Sequence, residues 1–207
     1  MTIEKAYNIW AGQYDTNKNS TRDLDHKSTV QTLKEYNFEN VIELGCGTGK
    51  NTSYLLTRAN KVLALDFSQE MLNIAKVKII DPHVNFQKAD ITKKWKVNDN
   101  SADLITSSLI LEHIEDLDFI FNQALIKLKP KGLFFISELH PFKQYLGTKA
   151  RYEDEGGIKE LTTFTHHISE FINSAKRNNF ELLEFNEWFD SETKNEVPRL
   201  VSFVFQK

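Results

Sequence analysis

Val41-Ile42-Glu43-Leu44-Gly45-Cys46-Gly47-Thr48-Gly49 passes from a short apolar run into three alternating glycines, and Lys50 follows at once. Glycine permits a tight turn at positive φ and leaves no Cβ between the backbone and a ligand. A strand ending in such a turn and continuing as a helix marks a nucleoside-cofactor site on a parallel sheet. The dinucleotide fingerprint is Gly-x-Gly-x-x-Gly. Here the glycines stand at 45, 47 and 49, and the third dinucleotide position is Lys50. A lysine side chain there would obstruct the close helix–strand packing that the third glycine serves, which weighs against a nicotinamide cofactor.

Outward from this motif the chain alternates. Asn40–Leu44 reads as a strand and Lys50–Arg58 as a helix. Lys61–Asp66 is a second strand, followed by a helix with Ser68 as its cap and Glu70 in its first turn. Val84–Gln87, Ala102–Ser107 and Leu133–Ser137 read as further strands, with a helix from about Asp116 to Leu128 and a turn at Pro130-Lys131-Gly132. Continuous apolar strands alternating with helices indicate a parallel sheet covered on both faces. The first 38 residues are expected to be helical around a polar loop from Thr16 to Asp25. His140–Thr165 shows no clean period. A helix over Ile168–Asn178 and strands at Phe180–Phe185 and Leu200–Phe205 then suggest an antiparallel hairpin at one sheet edge.

Composition narrows the classes. The chain has 207 residues, 40% hydrophobic and 27% charged, which fits one globular domain with a full core. A net charge of -3 lacks the basic face expected of a nucleic-acid binder. One cysteine, Cys46, excludes an intrachain disulfide or a multi-cysteine metal cluster, and no metal site is expected. Neither a signal peptide nor an apolar run of about 20 residues is present, so a cytoplasmic protein without a membrane span is expected.

Several residues around the glycine loop have ligand chemistry. Asp66 ends the second strand about 20 positions after Gly45, where a carboxylate accepts both ribose hydroxyls. Asp90 follows the third strand and can accept from an adenine amino group, while Phe67, Met71 and Ile91 can sandwich the ring. Simple core packing is the equal alternative for Met71. Glu43 is unusual in an apolar strand, because an isolated buried carboxylate is costly. It holds the glycine loop or faces the ammonium of a bound methionine moiety; a plain surface residue on an edge strand is the alternative, although the first strand should be central.

Together these stretches resemble the class I S-adenosylmethionine-dependent methyltransferases, specifically the methyltransferase type 11 group. The matching pieces are Val41–Gly49, Leu65–Leu72, Ala89-Asp90-Ile91, Asp103–Ile114 with Leu111-Glu112-His113-Ile114, and Leu128–Gly132. The resemblance implies an α/β Rossmann-like sheet of seven strands in the order 3-2-1-4-5-7-6, with the seventh antiparallel. It implies a helical cap over residues 1–38 and a substrate lid inserted after the fifth strand, at residues 140–165. Gly45, Gly47 and Glu43 would line the methionine side of S-adenosyl-L-methionine, with Cys46 in the same loop as a packing residue. Asp66 would bind ribose, Ala89, Asp90 and Ile91 would meet adenine with Phe67 and Met71, and Ser107 would sit beside the methionine moiety. Tyr14 and Arg22 would close the site, Arg22 against the cofactor carboxylate, with a surface arginine in a loop as the slightly favoured alternative.

Displacement at a sulfonium needs alignment above all, and a general base only for a hydroxyl or ammonium acceptor. His140, just past the fifth strand, and His166 are the candidate bases, with a hydrogen-bonded structural role as the equal alternative for each. The Asn/Asp-Pro-Pro-Tyr motif of amino-methylating nucleic-acid enzymes is replaced by Ser107-Ser108-Leu109-Ile110, so a small-molecule acceptor is expected. A non-catalytic S-adenosylmethionine-binding partner and a nucleotide-dependent oxidoreductase are the competing readings.

Overall fold

The strands rich in buried apolar residues lie at the centre of one sheet. In the computed structural model, which describes residues 2–16, 18–149, 151–154, 157–193 and 196–207, β1 (Asn40–Leu44) pairs in parallel with β2 (Lys61–Asp66) and β4 (Ala102–Ser108). β3 (Val84–Lys88) joins β2 in parallel, and β5 (Leu128–Leu139) joins β4. The last two strands, β8 (Glu181–Trp188) and β9 (Leu200–Gln206), are antiparallel to each other, and β9 inserts antiparallel beside β5. The order is β3-β2-β1-β4-β5-β9-β8, which is 3-2-1-4-5-7-6 when only the strands of this sheet are counted. That is the order the resemblance implies. A separate hairpin pairs β6 (Arg151–Asp154) with β7 (Gly157–Glu160).

Helices cover both faces. Ile42, Leu44, Ile105, Phe134 and Phe203 bury one face under α5 (Leu117–Lys127) and α7 (Ile168–Arg177), through Phe121, Phe171 and Ala175. Val41, Val62, Leu104, Phe135 and Val204 bury the other. Their covers are Leu33 of α2 (Ser20–Leu33), Leu55 of α3 (Lys50–Leu56) and Leu72 of α4 (Gln69–Lys78). Each fully buried large side chain contributes about 1.5–3 kcal/mol. Ser68 caps α4 as its sequence suggests, accepting from Met71 N–H at 3.1 Å.

Two expectations are corrected. The polar stretch Thr16–Asp25 is not wholly a loop, because α2 begins at Ser20 after Asn19 caps it by accepting from Arg22 N–H at 3.0 Å. This helix hides Asp25, Ser28, Thr29 and Thr32 beside polar strand ends, and Ser28 Oγ lies 3.0 Å from Ser137 Oγ. A helix that buries polar residues shows no apolar period. Likewise His140–Thr165 holds a short helix, α6 (Pro141–Tyr145), and the β6–β7 hairpin. The side chain of Tyr152 lies outside the described residues. The remaining helix, α1 (Ile3–Tyr14), packs Ala6 against Leu161 beyond this hairpin, with Tyr7 and Trp10 alongside.

Candidate active site

The site lies at the carboxyl ends of β1, β2 and β4, where open α/β sheets bind ligands. Gly45 takes φ +68°, and a Cβ there would meet Ile110 Cγ2 at 2.4 Å. Gly47, also at positive φ, has open space where its Cβ would be, so a ligand can approach its backbone. The Asp66 carboxylate locks the loop by accepting from Gly47 N–H and from Ser68 N–H, each at 2.8 Å. Burial pushes this carboxyl up, and the backbone donors pull it back. Lys50 does not crowd the helix–strand packing. Its Nζ leaves toward α2 and bonds Asp23 Oδ1 at 2.6 Å, while the close contact falls at Gly49, whose Cβ would meet Ile79 Cδ1 at 2.6 Å. The exclusion of a dinucleotide therefore cannot rest on a clash at Lys50.

A cavity of about 460 Å³ opens beside the loop. Asp66, Phe67, Met71, Ala89, Asp90 and Ile91 all line it. Asp90 accepts from Thr92 Oγ1 at 2.6 Å and pairs with Lys93 Nζ at 2.8 Å. Against partial burial, these contacts hold its carboxyl below the usual carboxylate range. The opposite wall is supplied by Ile3, Tyr7 and Tyr14 of α1, and by Ile110 and His113. Tyr7 and His113 were not among the expected ligand residues. The available signal was spacing, since Tyr7 and Tyr14 stand two helical turns apart on one face of α1.

A second, smaller space of about 50 Å³ shares Tyr14, Gly45, Gly47 and Ser108 with the first. Arg22, Asp25, Glu43, Cys46 and Thr106 also line it. The Arg22 guanidinium lies 5.2 Å over the Tyr14 ring and donates to the Tyr14 carbonyl, so the two expected closing residues are brought together. Glu43 accepts from Thr52 Oγ1 at 2.5 Å, and burial first, then Asp66 and Asp25, push its carboxyl up to about 8. Burial, Glu43 and Asp66 also push the Cys46 thiol up, which keeps it protonated and inert. Ser107 is placed differently from the expectation. Strand alternation turns Thr106 and Ser108 toward this space and Ser107 into the opposite core, fully buried.

The two candidate bases are likewise absent from the lining of both cavities. His140 accepts from Phe142 N–H on Nδ1 at 3.2 Å and faces Glu187 Oε1 from Nε2 at 3.2 Å. Because Nδ1 is the acceptor, Nε2 carries the proton, and no lone pair is left for catalysis. His166 is buried and donates from Nε2 to the Ile114 carbonyl at 2.7 Å. Both histidines serve the packing around the site.

A glycine loop with two carboxylates beyond it, on a sheet of this order, defines a nucleoside-cofactor α/β protein with methyltransferase topology. A family model described as a methyltransferase domain matches residues 42–136. A ubiquinone biosynthesis O-methyltransferase of Colwellia psychrerythraea is 30% identical over 139 residues, covering 66% of this chain and 56% of that protein. The chain thus spans little more than half the length of that relative. Among solved structures, a putative S-adenosylmethionine-dependent methyltransferase from Listeria monocytogenes superposes with a TM-score of 0.76 at 24% identity, covering 90% of this chain and 99% of that one. A DhpI–SAH complex does so with a TM-score of 0.78 at 20% identity, covering 98% and 93%. The chain belongs to the class I S-adenosylmethionine-dependent methyltransferases, and its cofactor is S-adenosylmethionine. The residues present fit that group. Gly47 leaves room for it, and buried Thr106 Oγ1, lining the smaller space, has no hydrogen-bond partner among the described residues.

Proposed function

We propose that this protein methylates a small-molecule acceptor. The observation that carries the reading is the placing of ligand-binding groups along two cavities that share Tyr14, Gly45 and Gly47. Asp66 and Asp90 line the wide space, while Arg22 and Glu43 line the narrow one. This matches a ligand with a ribose and adenine at one end and a zwitterionic amino acid at the other. When bound, the cofactor supplies an electrophilic methyl group on a sulfonium. Asp66 takes the ribose hydroxyls with its remaining lone pairs, and Asp90 takes the adenine amino group. Glu43 faces the ammonium, Arg22 the carboxylate, and Met71 and Ile91 flank the ring. The residues thereby hold the reacting carbon in one place, and alignment supplies most of the acceleration such a displacement needs.

The acceptor enters between α1, the turn after β4 and the insertion at residues 140–165, which together act as cover. Supporting this, Ala6 of α1 and Leu161 are buried against each other, and Phe164 N–H donates to the Glu112 carbonyl at 2.7 Å. The relative's printed name points to a small-molecule acceptor, and the net charge of -3 agrees. Incubation with S-adenosylmethionine and a fractionated metabolite extract is expected to yield S-adenosylhomocysteine in discrete fractions. Tight cofactor binding with no product in any fraction would favour a non-catalytic binding partner instead.

A further inference from the structure

Asp25 Oδ1 and Thr106 Oγ1 are buried oxygens without a hydrogen-bond partner among the described residues, and both residues line the narrow space together with Glu43. Asp25 is 4% exposed and Thr106 3%. An unpaired buried polar group costs about 1–3 kcal/mol, so two of them on one small space point to a shared donor.

These acceptors converge from separate elements. Glu43 and Thr106 are partners in register across parallel β1 and β4, so the pleat raises both from one face of the sheet. Asp25 reaches the same space from α2, which is fixed over β5 through Ser28. The Ser28 hydroxyl donates to the Asp25 carbonyl at 2.8 Å and lies 3.0 Å from Ser137 Oγ. Each carboxylate is aimed by a neutral donor that occupies one oxygen: Asn51 Nδ2 on Asp25 Oδ2 at 3.0 Å, and Thr52 Oγ1 on Glu43 Oε2 at 2.5 Å. Asp25 also adds to the forces that push the Glu43 carboxyl up. The two anions are therefore close enough to repel, and a cation between them is favoured.

An α-ammonium carries one positive charge and three N–H groups arranged as a tripod. We propose that Asp25 and Thr106 complete, with Glu43, the seat of the cofactor's ammonium, with one acceptor each from α2, β4 and β1. This rests on the methyltransferase reading above and deepens its account of the amino-acid end. Arg22 stands three positions before Asp25 on α2, and both line the narrow space, so one helix face offers a cation to the carboxylate and an anion to the ammonium. The helix thereby reads the zwitterion as a whole and discriminates the cofactor from adenosine thioethers that lack the amino group.

The test titrates the full chain in a calorimeter with S-adenosylhomocysteine and with its desamino analogue. The analogue keeps the adenosine, sulfur and carboxylate and carries hydrogen in place of the ammonium. The unaltered chain is expected to bind S-adenosylhomocysteine about a hundredfold or more tighter than the analogue. Asp25→Asn is expected to weaken S-adenosylhomocysteine binding about tenfold or more, and Thr106→Val about threefold or more. Neither variant should weaken the analogue by more than about twofold. Equal weakening of both ligands would make the altered residue a structural one and overturn the proposal. Unchanged S-adenosylhomocysteine affinity in either variant would overturn it as well. If Asp25→Asn does not fold, Glu43→Gln decides. A remaining preference of about threefold or more for S-adenosylhomocysteine is expected, and its complete loss would assign the ammonium to Glu43 alone. Failure of the unaltered chain to bind S-adenosylhomocysteine would reject the methyltransferase reading and this inference with it. Binding no tighter than that of the analogue rejects only the inference.

Discussion

The Tyr7 phenolic oxygen lies 2.9 Å from Nε2 of His113, whose Nδ1 lies 3.1 Å from the Thr162 carbonyl. A carbonyl can only accept, so Nδ1 carries the proton and Nε2 accepts from Tyr7. One neutral imidazole therefore ties α1, the turn after β4 and the segment beyond the β6–β7 hairpin around the larger cavity. Tyr7→Phe leaves Nε2 without its donor, at a cost of about 1 kcal/mol or more. Calorimetry is expected to show about fivefold or more weaker S-adenosylmethionine binding. Unchanged affinity would mean that α1 does not order the cofactor site.

The same histidine makes stability pH-dependent. Burial holds the His113 imidazole below its ordinary pKa. A group lowered in the folded state binds protons first when unfolded. Its stabilising contribution is complete above about 6.5 and is lost as pH falls through the folded value. His113→Gln is expected to flatten the fall in Tm between about pH 7 and pH 5. The flattening should be partial, because buried His140 is lowered too.

Asp66 already holds Gly47 and Ser68, and the proposed ribose contact falls on the same carboxylate. Asp66→Ala removes the ligand oxygens and also frees two backbone donors, so S-adenosylmethionine binding is expected to fall by about a hundredfold or more. Asp66→Asn keeps one acceptor oxygen, and its calorimetric affinity should lie between the two. Equal loss in both variants would show that charge, and not loop geometry, dominates.

How much of this was legible in the sequence depends on which link each residue occupies. The alternation of strands and helices followed from apolar runs and turn glycines, because hydrophobic period and backbone permissiveness are local properties, whereas the sheet order came only from the family resemblance. That Asp66, Asp90 and Glu43 line the two cavities was legible because a carboxylate in or just beyond an apolar strand demands a partner. Ser107 was misread because the pleat assigns neighbouring serines to opposite faces, and one residue of register decides which faces the cavity. His140 and His166 lie near the site in the chain, yet their hydrogen bonds to Glu187 and Ile114 are long-range contacts with no sequence signal. Asp25 was hidden because its helix buries polar residues and reads as a loop.

Glu43 should release a proton when the cofactor binds. With its carboxyl raised to about 8, it is protonated in the free protein at neutral pH, and facing an ammonium favours ionisation. Calorimetry at pH 7 in buffers of different ionisation enthalpy is expected to show release of up to about one proton on S-adenosylmethionine binding. Glu43→Gln should abolish it. The raised folded pKa also means that free-protein stability falls as pH rises between the ordinary glutamate value and about 8, so Glu43→Gln should gain Tm relative to the unaltered chain across that window.

Gly45 and Ile110 make a sharper test of the loop, because two separate costs meet at one position. A Cβ on Gly45 would lie 2.4 Å from Ile110 Cγ2, and the residue also sits at φ +68°. An alanine in that left-handed region costs about 1–2 kcal/mol whatever surrounds it, and the clash adds to that. Gly45→Ala is therefore expected to lower both Tm and S-adenosylmethionine affinity. Ile110→Ala alone removes apolar contact from the cavity wall and should weaken binding modestly. In the double variant the clash is gone and the φ cost remains, so the two losses should not add, and the shortfall measures the steric part by itself. Strict additivity in the double-mutant cycle would mean that Ile110 yields freely and that glycine is needed at position 45 for its backbone conformation alone.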